Sequence, residues 1–142
     1  MAEYTNVAVQ TVAENANVLF SETPYGCTKG DVTHREGAGI FRLRGITNQC
    51  RALYKVWFGA NIAIAAGETV APISLALSID GEELGSSTAI ATPAAIADFT
   101  NVSVAAYIPV ERGCCVTVAV ENTSEGTAID VQNANLIIER IA

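Results

Sequence analysis

Histidine is nearly absent from this chain: His34 stands alone among 142 residues. Any Ser-His-Asp or Cys-His machinery would have to use it. It lies beside Arg35 and Glu36 with no nucleophile motif nearby, and no Gly-x-Ser-x-Gly elbow occurs. His34 therefore reads as a surface or subunit-contact residue. One imidazole also excludes a metal site built from several histidines inside a barrel. The four cysteines, Cys27, Cys50, Cys114 and Cys115, contain no Cys-x-x-Cys pair, which argues against zinc. The adjacent pair Cys114 and Cys115 does not readily bridge to itself. A Cys27–Cys50 bridge is compatible with the spacing; the plainer expectation is buried, reduced thiols acting as small hydrophobes. Arg112 lies close enough in sequence to lower the Cys115 thiol pKa, but no histidine partner accompanies it. No cofactor and no catalytic residue are expected.

Charge is also scarce. Charged residues make up 16% of the chain, against about 25% in an ordinary soluble domain. With half of the residues hydrophobic, the shortfall implies that other subunits cover part of the outer surface. The net charge is −7, which repels phosphate backbones, so nucleic acid is not an expected partner. The only clustered cations are Arg35, Arg42 and Arg44, read as strand-face charges. Aromatics amount to 6%, too few and too scattered for a base-stacking platform. No stretch approaches the ~18 apolar residues of a membrane span, and the first residues carry no basic or apolar leader pattern. The expectation is a protein made in a cytoplasm with no membrane partner.

What is present is strand grammar. In Ile73-Ser74-Leu75-Ala76-Leu77-Ser78-Ile79-Asp80-Gly81 large apolar residues alternate with small or polar ones, and the run stops at Asp-Gly. Period two marks a strand with one buried face, and Asp-Gly marks a two-residue hairpin turn. Similar runs predict about ten strands at 7–12, 17–20, 32–34, 39–44, 51–60, 73–80, 82–92, 102–110, 114–121 and 129–141. Together they form one all-β antiparallel sandwich domain spanning 1–142, with 1–6 as a short N-terminal arm. Residues 22–26 read as a turn, and 93–98 as a loop or single helical turn. On the strand 51–60, Tyr54, Val56 and Phe58 share one face, and Leu53, Lys55 and Trp57 the other. Both faces are largely apolar, as they are on the last strand, where Leu136 and Ile138 oppose Ile137 and Ile141. Tyr107 faces outward with Ser103 and Ala105. The acidic groups Asp80, Glu82 and Glu83, the pair Glu121 and Glu125, and Asp130 read as solvated turns or faces.

Four segments carry a family resemblance: Gly39-Ile40-Phe41-Arg42-Leu43-Arg44-Gly45, the central Tyr54-Lys55-Val56-Trp57-Phe58-Gly59-Ala60-Asn61-Ile62, the Ile73-to-Gly81 hairpin with residues 87–93, and the end Val116-Thr117-Val118-Ala119-Val120-Glu121-Asn122 with residues 133–142. These resemble the compact jelly rolls of the C1q and tumour-necrosis-factor (TNF) superfamily. More narrowly, Tyr4-Thr5-Asn6-Val7-Ala8-Val9-Gln10, Gly45-Ile46-Thr47-Asn48-Gln49-Cys50 and Arg112-Gly113-Cys114-Cys115-Val116-Thr117-Val118 look like small structural proteins of phages and prophages of gut Firmicutes.

The resemblance implies a TNF/C1q-like jelly roll that forms homotrimers, with its flattest sheet turned to the threefold axis. It further implies a non-enzymatic virion component: a capsid decoration or cementing protein, or a head-fibre protein, with the major capsid or another virion protein as partner and the virion as its location. No collagen-like or coiled-coil stalk precedes the jelly roll, which suits a compact block set directly on a shell. Tyr54, Trp57, Phe58, Tyr107, Leu136 and Ile138 are the expected core and subunit-contact residues. A second reading is a receptor- or glycan-binding adhesion module using loops 21–30, 65–72 and 93–101, whose aromatics are Tyr25 and Phe99. An enzyme is not expected.

Overall fold

The computed structural model describes residues 2–26 and 30–142. The described residues form twelve strands: β1 (Ala2–Asn6), β2 (Gln10–Val12), β3 (Glu22–Tyr25), β4 (Val32–His34), β5 (Phe41–Arg44), β6 (Arg51–Ile64), β7 (Ile73–Ile79), β8 (Glu82–Glu83), β9 (Ala89–Ala91), β10 (Thr100–Glu111), β11 (Cys115–Asn122) and β12 (Ile129–Arg140). They build two antiparallel sheets. The first has the order β10-β6-β12-β1-β3, with β2 also on β12. The second has the order β4-β5-β11-β7-β8, with β9 also on β7. The two inner faces enclose one apolar core containing Phe20, Phe41, Leu43, Tyr54, Phe58, Ile62, Leu75, Leu77, Ile108 and Leu136. This is a single-domain all-β jelly roll: the alternation of the sequence predicts the sandwich, and the family resemblance its jelly-roll form.

The hairpin at Asp80-Gly81 forms where expected. Both residues adopt positive φ, 52° and 87°, the geometry of the tight turn that joins twisted strands. The inward face of β10 is Val102, Val104, Ala106, Ile108 and Val110, and Ser103, Ala105 and Tyr107 point out, again as predicted. Between them, Phe20, Phe41, Phe58 and Tyr4 form an aromatic cluster with centroids 4.6–6.2 Å apart and inclined rings. Inclined arrangements suit the ring quadrupoles better than face-to-face stacks. Tyr54 spans the sandwich and donates its hydroxyl hydrogen bond to the Arg44 carbonyl at 2.6 Å.

Several boundaries differ from expectation. Of the expected arm 1–6, the described residues Ala2–Asn6 form strand β1, inserted between β12 and β3, with Ala2 and Tyr4 in the core. Glu22–Tyr25 is a strand rather than a turn. It contains Pro24 and lies at the sheet edge, where a missing N–H costs no ladder bond. The 17–20 strand reduces to one bridge, Asn17 to Glu121. The 82–92 strand breaks into β8, a 3-10 turn at Gly85–Ser87, and β9. Residues 93–98 form a loop as expected, with Ala97 at φ 64°. Cysteines are not buried either: Cys50, Cys114 and Cys115 are exposed free thiols at the end where β5 leads to β6 and β10 to β11. Cys27, and with it the Cys27–Cys50 bridge, lies outside the described residues.

At that same end the connections cross tightly. The Gly45 N–H donates to the Cys114 carbonyl at 2.8 Å, and the Gly113 N–H donates to the Gly45 carbonyl at 3.0 Å. A Cβ on Gly45 would collide with the Glu111 carbonyl, a backbone group that cannot swing away. Gly45→Ala should therefore lower stability by about 1–3 kcal/mol, the usual range for overpacking. Thermal melts followed by circular dichroism should show a Tm several degrees lower, whereas Gly67→Ala, with open space around the new Cβ, should cost only its positive-φ strain.

Candidate interaction face

The outer face of the β10-β6-β12 sheet gathers apolar side chains that the core does not use. Register places Ala105, Trp57 and Ile137 in one row across the three strands, and Tyr107, Lys55 and Glu139 in the next. Trp57 is 49% exposed and Tyr107 62%. Lys55 lays its ammonium over the Trp57 ring at 4.3 Å and stands 6.0 Å from Tyr107. Such contacts hold a cation against a π face. Gly59 and Ser103, paired in register, leave a shallow hollow of about 240 Å³ beside Trp57, Asn135 and Ile137. Asn135 donates to Glu3 at 2.9 Å and ties β12 to β1 on this face.

Of the six expected contact residues, only Trp57 and Tyr107 lie on this face. Tyr54, Phe58, Leu136 and Ile138 are fully buried within the chain and present no side-chain surface to a partner. They alternate with the exposed set along the same strands, so burial of one set puts the other outside. Ile137 and Leu53, both half-buried on the outer side, take their place.

The other sequence candidates are dispersed. His34 is not a free surface group: its ring stacks on Phe41 at 4.2 Å, and its Nε2 hydrogen donates to the Ala38 carbonyl at 2.9 Å. Its Nδ1 is buried and has no hydrogen-bond partner among the described residues. Asp80 caps the hairpin turn, accepting from the Thr117 N–H at 2.9 Å. Asp130 accepts from the Thr11 hydroxyl at 2.7 Å. Tyr25, at the end of β3, and Phe99, on the loop before β10, are exposed and separate. Among the described residues no group of three or more His, Cys, Asp or Glu side chains converges as metal ligands.

No protein-family model matches the sequence, and no curated protein matches it. Solved structures match in fold. The globular domain of zebrafish complement 1qA covers 96% of this chain and 94% of its own, with TM-score 0.59 and 11% identity. Murine APRIL covers 92% and 96%, with TM-score 0.54 and 12% identity. The fold is a C1q/TNF-like jelly roll. At these identities the likeness extends to the path of the chain and not to its side chains.

One ionisable group on the opposite sheet stands out. Burial raises the Glu121 carboxyl above the usual carboxylate range, and the charge of Glu83 adds to the shift. A raised pKa in the folded state means that this group's contribution to stability is complete below its unfolded pKa and is lost as pH rises through the folded one. Glu121→Gln should therefore melt at a higher temperature than the parent at pH 7. The difference should close as pH falls below the ordinary carboxylate range, which paired calorimetric scans from pH 3.5 to 7.5 would read.

Proposed function

We propose that this chain is a non-enzymatic, self-associating jelly-roll module: three copies pack the outer face of β10-β6-β12 around a threefold axis, and the trimer serves as an accessory structural protein of a phage particle. The uncovered Trp57–Tyr107–Ile137 face is the observation that carries the reading. Exposed aromatics with apolar neighbours on a flat sheet are what a desolvated contact uses, and a chain with 16% charge has little surface to spare for solvent. The flanking groups Lys55 and Glu139 would fix orientation across the contact. The jelly-roll fold is compatible with trimers, as the family resemblance implies. The phage role, as a decoration, cementing or head-fibre protein on a capsid, rests on the similarity of the Tyr4–Gln10, Gly45–Cys50 and Arg112–Val118 segments to phage proteins.

Sedimentation equilibrium of the purified protein at micromolar concentration should give three times the chain mass. Trp57→Glu should shift it to monomer with an unchanged melting curve, because Trp57 contributes little to the intrachain core. A parent protein that sediments as a clean monomer would overturn the trimer. The particle role predicts that images of virions assembled without this protein lose a discrete surface feature, which returns on adding the purified trimer.

A further inference from the structure

The outer face of the second sheet is built differently from the first. Its floor is made of small residues, Ser78 on β7 and Ala119 on β11, adjacent in register. Although both point away from the core, they are only 3% and 5% exposed, because they sit at the bottom of a hollow of about 360 Å³. That size is at the lower end for small-molecule pockets. Asn15 and Asn17 form one wall, Glu121 stands at one end, and Ile40 offers an apolar side. Asn15 is held at φ 62°, and its N–H donates to the Asn122 carbonyl, so the backbone of this wall is fixed. Among the described residues, the Glu121 carboxylate, the two Asn amides and the Ser78 hydroxyl have no hydrogen-bond partner. Three neutral polar groups and one carboxylate thus line a preformed space without bonding to other protein groups. No cation lines the hollow. Arg42 stands across from Thr117 at the far end, one strand away, and Glu83 and Asp80 lie on the β7–β8 side.

We propose that this hollow binds a monosaccharide-sized polyol carrying an ammonium group, that is, an amino sugar, with the ammonium on Glu121 and the ring hydroxyls on Asn15, Asn17 and Ser78. The amino sugar is favoured over a lysine side chain of a protein because an alkyl chain would leave both amides and the serine hydroxyl unpaired, which costs free energy on burial. A neutral sugar would leave the half-buried carboxylate without a counter-charge. Being raised, the Glu121 pKa adds a pH signature: the site should strengthen as pH rises through it, until the ligand amine begins to lose its proton. The site lies on the sheet opposite the proposed trimer face, so occupancy should be independent of oligomeric state.

The test is a 15N–1H correlation titration of the parent protein at pH 6.5 with D-glucosamine, N-acetylglucosamine and lysinamide, each to 50 mM. Saturable shifts of the amides of Asn17, Ser78, Ala119 and Glu121 are expected with glucosamine, at least tenfold weaker with the other two, and at least tenfold weaker for glucosamine in Glu121→Gln. Binding that persists in Glu121→Gln, equal binding of N-acetylglucosamine, equal binding of lysinamide, or no saturable shift with glucosamine would each overturn the proposal. The Glu121→Gln melting curve reports separately that the variant is folded.

Discussion

The register of β12 between β6 and β1 decides which residues this protein shows to the outside. β12 carries one extra residue relative to β6, between Gln132 and Asn135, where Asn133 takes a positive φ of 56°. That bulge switches the parity of the strand: Ile129 and Val131 face the core before it, and Ala134, Leu136 and Ile138 after it. Without the added residue, either the first or the second half of the strand would present its large side chains to water. The same register fixes Ile137 beside Trp57 and Asn135 beside Gly59. The place of Ile137 on the outer apolar face is therefore a consequence of one bulged residue in the closing strand.

The two sheets expose different chemistry for one geometric reason. In the first sheet β10, β6 and β12 place Tyr107, Trp57 and Ile137 outward, so this part of its face is largely apolar with only a shallow hollow. In the second sheet β7 and β11 place the small residues Ser78 and Ala119 outward side by side, so the outer face sinks there beside Asn15, Asn17 and Glu121. Nearby, the buried Asn122 holds this region together. Its amide donates to the Val12 and Thr127 carbonyls at 3.0 and 2.9 Å, and its oxygen accepts from the Ser124 N–H at 2.9 Å. A fully satisfied buried amide of this kind specifies loop positions more sharply than apolar packing does.

Strong alternation and turn chemistry made much of the fold legible. The Ile73-to-Gly81 hairpin, the inward face of β10 and the two-sided character of β6 follow directly from residue spacing. Misread segments share a cause: their structure comes from partners distant in sequence. β1 is too short to declare itself and becomes a strand because β12 lies beside it. β3 looks like a turn because of Pro24, which an edge position tolerates. His34, polar in sequence, is drawn against Phe41 and Tyr4 at the sandwich edge. For the interaction face, the spacing correctly separated Tyr54 and Phe58 from Trp57, but not which set turned inward. The Glu121 hollow was invisible, since it depends on small residues of β7 and β11 lying adjacent.

β1 and β12 are neighbours in space and lie at opposite ends of the sequence, with Ala2 opposite Ile138. β6, in the middle of the chain, needs β12 on one flank as well. During synthesis, then, the first sheet cannot close until β12 has left the ribosome. Until that moment the nascent chain exposes unpaired strand edges. Closing the sheet is governed by long loop closures, and the growing chain is exposed to mispairing with its siblings on the same messenger.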